Sequence, residues 1–128
     1  MLIKFREARG LKLFSRGSLR VELWYFPPLF AIEPHTHPNE SIEVLYLGPA
    51  KVKFYRKKSA MHPVDKFYAK FPWHFAKKLS VPIGVTHWFY VVSSFFPLFA
   101  INISQFKKGM KPVSAAEDFQ LTDKESII

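Results

Sequence analysis

Glu33-Pro34-His35-Thr36-His37-Pro38-Asn39-Glu40-Ser41-Ile42-Glu43-Val44-Leu45-Tyr46-Leu47-Gly48 is the stretch that decides how this chain is read. His35 and His37 are two positions apart, and in extended backbone such a pair points to one side. Glu43 follows on a second extended run, Ser41 to Leu47. Far downstream, Val81-Pro82-Ile83-Gly84-Val85-Thr86-His87 supplies a third imidazole. Three imidazoles and a carboxylate make a first shell for one divalent transition metal. Five residues separate His37 from Glu43. The carboxylate therefore faces the histidines only if the turn at Pro38–Ile42 absorbs one residue as a bulge, because a slip of one reverses the face.

Outward from this stretch the chain reads as short strands punctuated by proline and glycine. Leu2–Phe5, Leu11–Ser15 and Leu19–Phe26 come first. In the third, Leu19, Val21, Leu23 and Tyr25 alternate with Arg20, Glu22, Trp24 and Phe26, the pattern of a half-buried strand. Pro27-Pro28 ends it, since two prolines remove two ladder donors. Leu29–His37 is the next strand, and Pro34 within it implies a bend that aims the histidines inward. Ser41–Leu47 and Ala50–Arg56 form an expected hairpin about Gly48-Pro49, and 57–66 a polar loop. Phe67–Phe71, Trp73–Leu79, Thr86–Val92 and Phe96–Phe106 complete an all-β, antiparallel domain over residues 1–106. The tail, 107–128, carries Ser114 and Glu117 at capping-box spacing, which predicts a short helix.

The histidine motifs resemble those of the cupin superfamily. His35-Thr36-His37 followed by Glu43 and Gly48 is similar to the first cupin motif, and Pro82-Ile83-Gly84-Val85-Thr86-His87 to the core of the second. The resemblance implies a small single-domain jelly-roll barrel, a double-stranded antiparallel β-helix. It implies one metal held by His35, His37, Glu43 and His87, and chemistry of the dioxygenase, isomerase, decarboxylase or lyase kind on a small molecule. It also implies pairing of two copies as a homodimer. Fe(II), Mn(II), Ni(II) and Zn(II) all suit such a donor set, and the absence of soft sulfur argues against a Cu(I) thiolate site.

The 128 residues include 48% hydrophobic and 17% aromatic residues and no cysteine, so a core forms without disulfides. The N-terminus shows no signal-peptide pattern and no apolar run reaches the length of a membrane span, which makes the cytoplasm the default expectation. The net charge of +9 is concentrated: residues 51–78 hold nine Lys or Arg and one acid. Such a patch either keeps an apolar chain soluble or binds an anionic substrate. Lys51, Lys53, Arg56, Lys57 and Lys58 are its leading anion-binding candidates. The alternative to a metal enzyme is therefore a non-catalytic module that binds an anionic ligand, a protein or nucleic acid through this segment. No Gly-rich phosphate loop, nucleophile elbow or catalytic cysteine is present. Candidates for acid–base work beside a metal are Glu33, Tyr46 and Tyr90, with Glu33 expected on the face of His35 and His37. His62 and His74 are expected to be structural.

Overall fold

A computed structural model describes residues 2–48, 50–55, 63–68 and 77–121, and these carry eleven strands and no helix. They are β1 (Leu2–Phe5), β2 (Ala8–Arg16), β3 (Leu19–Phe26), β4 (Ala31–Thr36), β5 (Glu40–Leu47), β6 (Ala50–Tyr55), β7 (Pro63–Tyr68), β8 (Lys77–Val81), β9 (His87–Val91), β10 (Leu98–Phe106) and β11 (Gln120–Leu121). A six-stranded sheet runs β1-β2-β3-β10-β5-β8 and a five-stranded sheet β11-β4-β9-β6-β7. Every described pairing is antiparallel. The crossovers between sheets are those of a jelly roll.

The core lies between the two sheets. Trp24, Tyr46, Leu98 and Ala100 come from one, Ile32, Ala50 and Val91 from the other, and Phe30 from the turn before β4. The alternation of β3 is borne out, with an unexpected choice of face. Its inward set contains Glu22 and Trp24, both buried, whereas Leu23 and Tyr25 are exposed. The inward acid is held by four neighbours: Glu22 accepts hydrogen bonds from Arg20 Nε at 2.6 Å, Trp24 Nε1 at 3.0 Å, the Ala115 amide at 3.3 Å and Ser114 Oγ at 3.4 Å. A fully buried carboxylate is tolerable only when paired in this way.

Several expected connections differ. β5 and β6 do not form a hairpin: β5 pairs with β10 and β8, β6 with β9 and β7. The chain crosses between sheets at Gly48, whose φ of 135° is open only to glycine and where a Cβ would meet the Pro97 carbonyl oxygen at 2.6 Å. Within the expected polar loop, β7 already begins at Pro63. The expected tail helix is a single turn, with the Glu117 and Asp118 amides both donating to the Ser114 carbonyl. It stops there because Phe119 packs against the core and Gln120–Leu121 pairs with Thr36 and His35 of β4. Among the described residues no helix is long and apolar enough to cross a membrane.

Candidate metal centre

His35 and His87 lie directly opposite one another across the β4–β9 ladder, so two distant motifs are joined by strand register. His37 follows at the end of β4, and its carbonyl accepts a hydrogen bond of 3.1 Å from the amide of Gly84. Gly84 has φ 71°, the left-handed turn that brings the second motif back against the first. All three imidazoles are buried. Their ring centroids are 4.1 Å apart for His35 and His87, 5.2 Å for His35 and His37, and 5.4 Å for His37 and His87. A donor atom of each lies within 4.8 Å of the other two.

Each ring is oriented through the same nitrogen. Nδ1 of His35 donates to the Glu33 carbonyl at 2.7 Å, Nδ1 of His37 to the Asp118 carbonyl at 2.5 Å, and Nδ1 of His87 to the Val85 carbonyl at 3.1 Å. A carbonyl oxygen only accepts, so each Nδ1 carries the hydrogen and each Nε2 carries the lone pair. Burial lowers the pKa of all three. His35 is pushed well below its ordinary value, first by burial and then by the other two imidazoles. His87 falls to about 4, by burial and then by His37. His37 is also lowered, with Asp118 opposing the effect. Neutral imidazoles with fixed tautomers are what a metal ligand set requires, so these residues fit a divalent ion.

The predicted carboxylate is not among them. Ile42, Val44 and Tyr46 of β5 line the cavity, so Glu43 points the other way and meets Ser80 Oγ at 3.2 Å. The turn after His37 does not absorb the extra residue. Glu40, which stands nearer in sequence, is the acid that reaches the site. It is fully buried with Oε2 3.7 Å from His37 Nδ1, and His37, Glu40 and Asp118 bring donor atoms within 4.8 Å of one another behind the ring. Burial pushes the Glu40 pKa up to about 8, the neighbouring Asp118 and Glu22 adding to the rise and Ser104 opposing it. A polar residue between two strand-like runs, three after a motif histidine, was the available signal for it.

Of the acid–base candidates, Glu33 is turned outward. The β4–β9 register shifts between Ile32 and His35, so Ile32 and His35 both face inward and Glu33 is left to pair with Arg6 at 2.6 Å on the exposed side. The bend expected at Pro34 is therefore real, and it removes Glu33 from the face of the histidines. Tyr90 is half-buried beside Trp88, away from the cavity. Tyr46 lines the cavity, and burial raises its pKa to about 12, which keeps the phenol protonated. Lys51 is half-buried on β6; the side chain of Lys53, and Arg56, Lys57, Lys58, His62 and His74, lie outside the described residues.

The histidines open on a cavity of about 110 Å³ between the sheets. Trp24, Phe26, Phe89 and Phe119 supply aromatic wall, Asn102 an amide, and no charged side chain lines it among the described residues. Phe119 closes over the site with its ring 4.9 Å from His35 and 5.0 Å from Phe5. The tail thus contributes to the site three times over: Ala115 is tied to Glu22, Asp118 to His37 and Asn39, and Gln120–Leu121 to β4.

No protein-family model matches the sequence, and no curated protein matches it either. Solved structures match its fold. The cupin domain of Cnp3 from Schizosaccharomyces pombe superposes with a TM-score of 0.62 at 11% identity, over 82% of this chain and 65% of that one. CapF, solved with the inhibitor 3-isopropenyl-tropolone, gives 0.70 at 13% identity over 94% of this chain and 33% of that one. A cupin-2 domain from Rhodospirillum rubrum gives 0.68 at 12% identity, over 98% and 77%. This chain thus spans less than two thirds of the length of the first two. Sheet order, histidine placement and these superpositions agree: the chain has the cupin fold.

Proposed function

We propose that this chain is a metal-dependent cupin, in which His35, His37 and His87 would hold one divalent ion and a small molecule is bound and transformed in the adjoining cavity. The observation that carries the reading is the common orientation of the three rings, each Nδ1–H spent on a backbone carbonyl. Structural histidines have no reason to share one tautomer around one point. Fe(II), Mn(II), Ni(II) and Zn(II) are the candidates. When bound, such an ion supplies Lewis acidity at positions that three protein ligands leave open.

The chain's own residues do the rest. Aromatic walls exclude water and favour a ligand with an apolar body. The cavity resembles in size those that take a benzene-sized guest, which limits the substrate to a small molecule of the dioxygenase, isomerase or lyase substrate kind. Tyr46, with its phenol kept protonated, is the remaining acid–base candidate and can donate a hydrogen bond to a bound ligand. The Asp118 carbonyl steadies the His37 ring, and Glu40 stands 3.7 Å from the same nitrogen.

The test is metal content of protein purified without a histidine tag, beside His35→Ala, His37→Ala, His87→Ala and the triple variant. About one ion per chain in the parent, and loss in each variant, is the expected result. Stoichiometric metal in the triple variant would overturn the reading.

A second reading keeps the basic segment 51–78 as a surface for an anionic ligand, protein or nucleic acid. What favours it is register: Phe54 lies opposite His87, so β6, at the head of that segment, runs beside the site. Binding of this kind weakens steeply with salt and is lost on Lys57→Glu with Lys58→Glu, while His87→Ala leaves it intact.

A further inference from the structure

Asn102 lines the cavity and has no task in the fold. It is carried by β10 on the same side as Leu98 and Ala100, level with Glu22 of β3 and Val44 of β5. Val44 offers it nothing polar. Glu22 is already spent: one carboxylate oxygen accepts from Arg20, the other from Trp24, Ser114 and the Ala115 amide. Among the described residues the Asn102 side chain makes no hydrogen bond. It is half-buried and faces the cavity beside Val44, Leu79 and Phe89. An amide without a partner in apolar surroundings is costly, and a leucine would fill the same position without that cost. The partner of this amide is therefore to be sought outside the chain.

We propose that Asn102 determines the specificity of the cavity, and that the ligand it selects is a small uncharged ring compound carrying a hydroxyl group. This rests on the reading of the cavity as a small-molecule site. Hydrogen-bond chemistry defines the polar group. The amide donates through Nδ2 and accepts through Oδ1, and a hydroxyl can answer both. A carboxylate can only accept, and it would bring a charge against a wall where no cationic side chain stands among the described residues. An ammonium can only donate, and it meets the same apolar wall. Size and surroundings define the rest of the molecule. A cavity of about 110 Å³ takes one ring and little more. Trp24, Phe26, Phe89 and Phe119 present faces and edges on which a flat ring packs well.

The test compares phenol with toluene, which has the same outline without the hydrogen-bonding group. Calorimetry gives the Kd of each for the parent and for Asn102→Leu, on the chain as purified and with its metal content measured alongside. The ratio of the toluene Kd to the phenol Kd should fall by about 10-fold in the variant, the cost of one unmade hydrogen bond. Any metal held by the histidines is common to both proteins and cancels from the comparison. Leucine replaces an unpaired amide by an apolar group of similar shape, so the variant should keep the far-UV spectrum of the parent. A second measurement needs no variant: a crystal structure of the parent with phenol should place the hydroxyl oxygen about 3 Å from the Asn102 amide. An unchanged ratio, a phenol oxygen bound away from Asn102, or benzoate binding that weakens in Asn102→Leu as much as phenol binding does would each overturn the proposal. A ratio that shifts in a chain found to hold no metal would support the proposal and count against the metal alone. Failure of the parent to bind either probe would overturn the proposal together with the small-molecule reading of the cavity.

Discussion

The carbonyl of Asp118 accepts a 2.5 Å hydrogen bond from Nδ1 of His37, across 81 positions of sequence. The Asp118 carboxylate in turn receives the Asn39 side chain at 2.9 Å and the Asn39 amide at 3.1 Å. Carbonyl and carboxylate of one residue thus hold both the ring and the turn that follows it. Asp118→Ala keeps the carbonyl that receives the His37 proton and removes only the carboxylate that holds Asn39, so metal affinity should fall by less than the roughly 10-fold that loss of a direct outer partner costs. Titration calorimetry on the metal-free protein checks it; a loss of about 10-fold or more would mean that the carboxylate itself holds the ring.

Acid should destabilise the metal-free protein through the histidines. The His87 pKa drops from 6.5 to about 4 on folding, so above pH 6.5 its ring is neutral in both states. Below pH 6.5 the unfolded chain takes up a proton that the folded chain refuses. Stability is lost down to about pH 4, by on the order of 3 kcal/mol for this group. His35 and His37 act in the same direction. Urea midpoints between pH 7 and pH 4 should fall less in His87→Gln than in the parent.

Glu40 has the opposite sign. Its pKa rises from 4.5 to about 8, so stability is complete below 4.5 and is lost as pH climbs to 8. Glu40→Gln keeps the shape and removes the titration. It should stabilise the protein by about 3 kcal/mol at pH 7, with the gain gone at pH 4.5. Chemical denaturation at the two pH values decides the matter, and an equal effect at both would contradict a protonated, buried carboxyl.

Glu33→Gln and Glu43→Gln should leave metal affinity within about twofold of the parent, since both side chains lie on exposed faces with Arg6 and Ser80 as partners. A tenfold loss in either variant would mean that the strand carrying it sits one residue out of the register described here.

The sequence was most legible where the chemistry depends on spacing within one element. His35 and His37 share a side because they stand two positions apart in extended chain, and the Pro82–His87 segment starts β9 opposite His35. It was least legible where a single irregular residue changes parity. The shift between Ile32 and His35 turns Glu33 outward, and the unabsorbed residue after His37 does the same to Glu43. Glu40 is set aside on sequence because only two residues separate it from His37, too few for a metal ligand of that motif. In the fold its Oε2 stands 3.7 Å from His37 Nδ1. The face chosen by β3 was hidden for a different reason: the inward face carries Arg20 and Glu22 and the outward one is apolar, and the buried acid is accommodated by Arg20, Trp24 and the distant tail together.

The tail's hold on His37 also bears on the order in which the site forms. A chain emerging from the ribosome shows its paired histidines long before Asp118 exists to receive the proton of His37. Until the last strand docks, that imidazole is free to present either nitrogen and the site has no roof. On the proposed reading, metal loading waits until Asp118 has been made and has docked, and a cut between β10 and Ser114 releases the ion while His35, His37 and His87 stay intact.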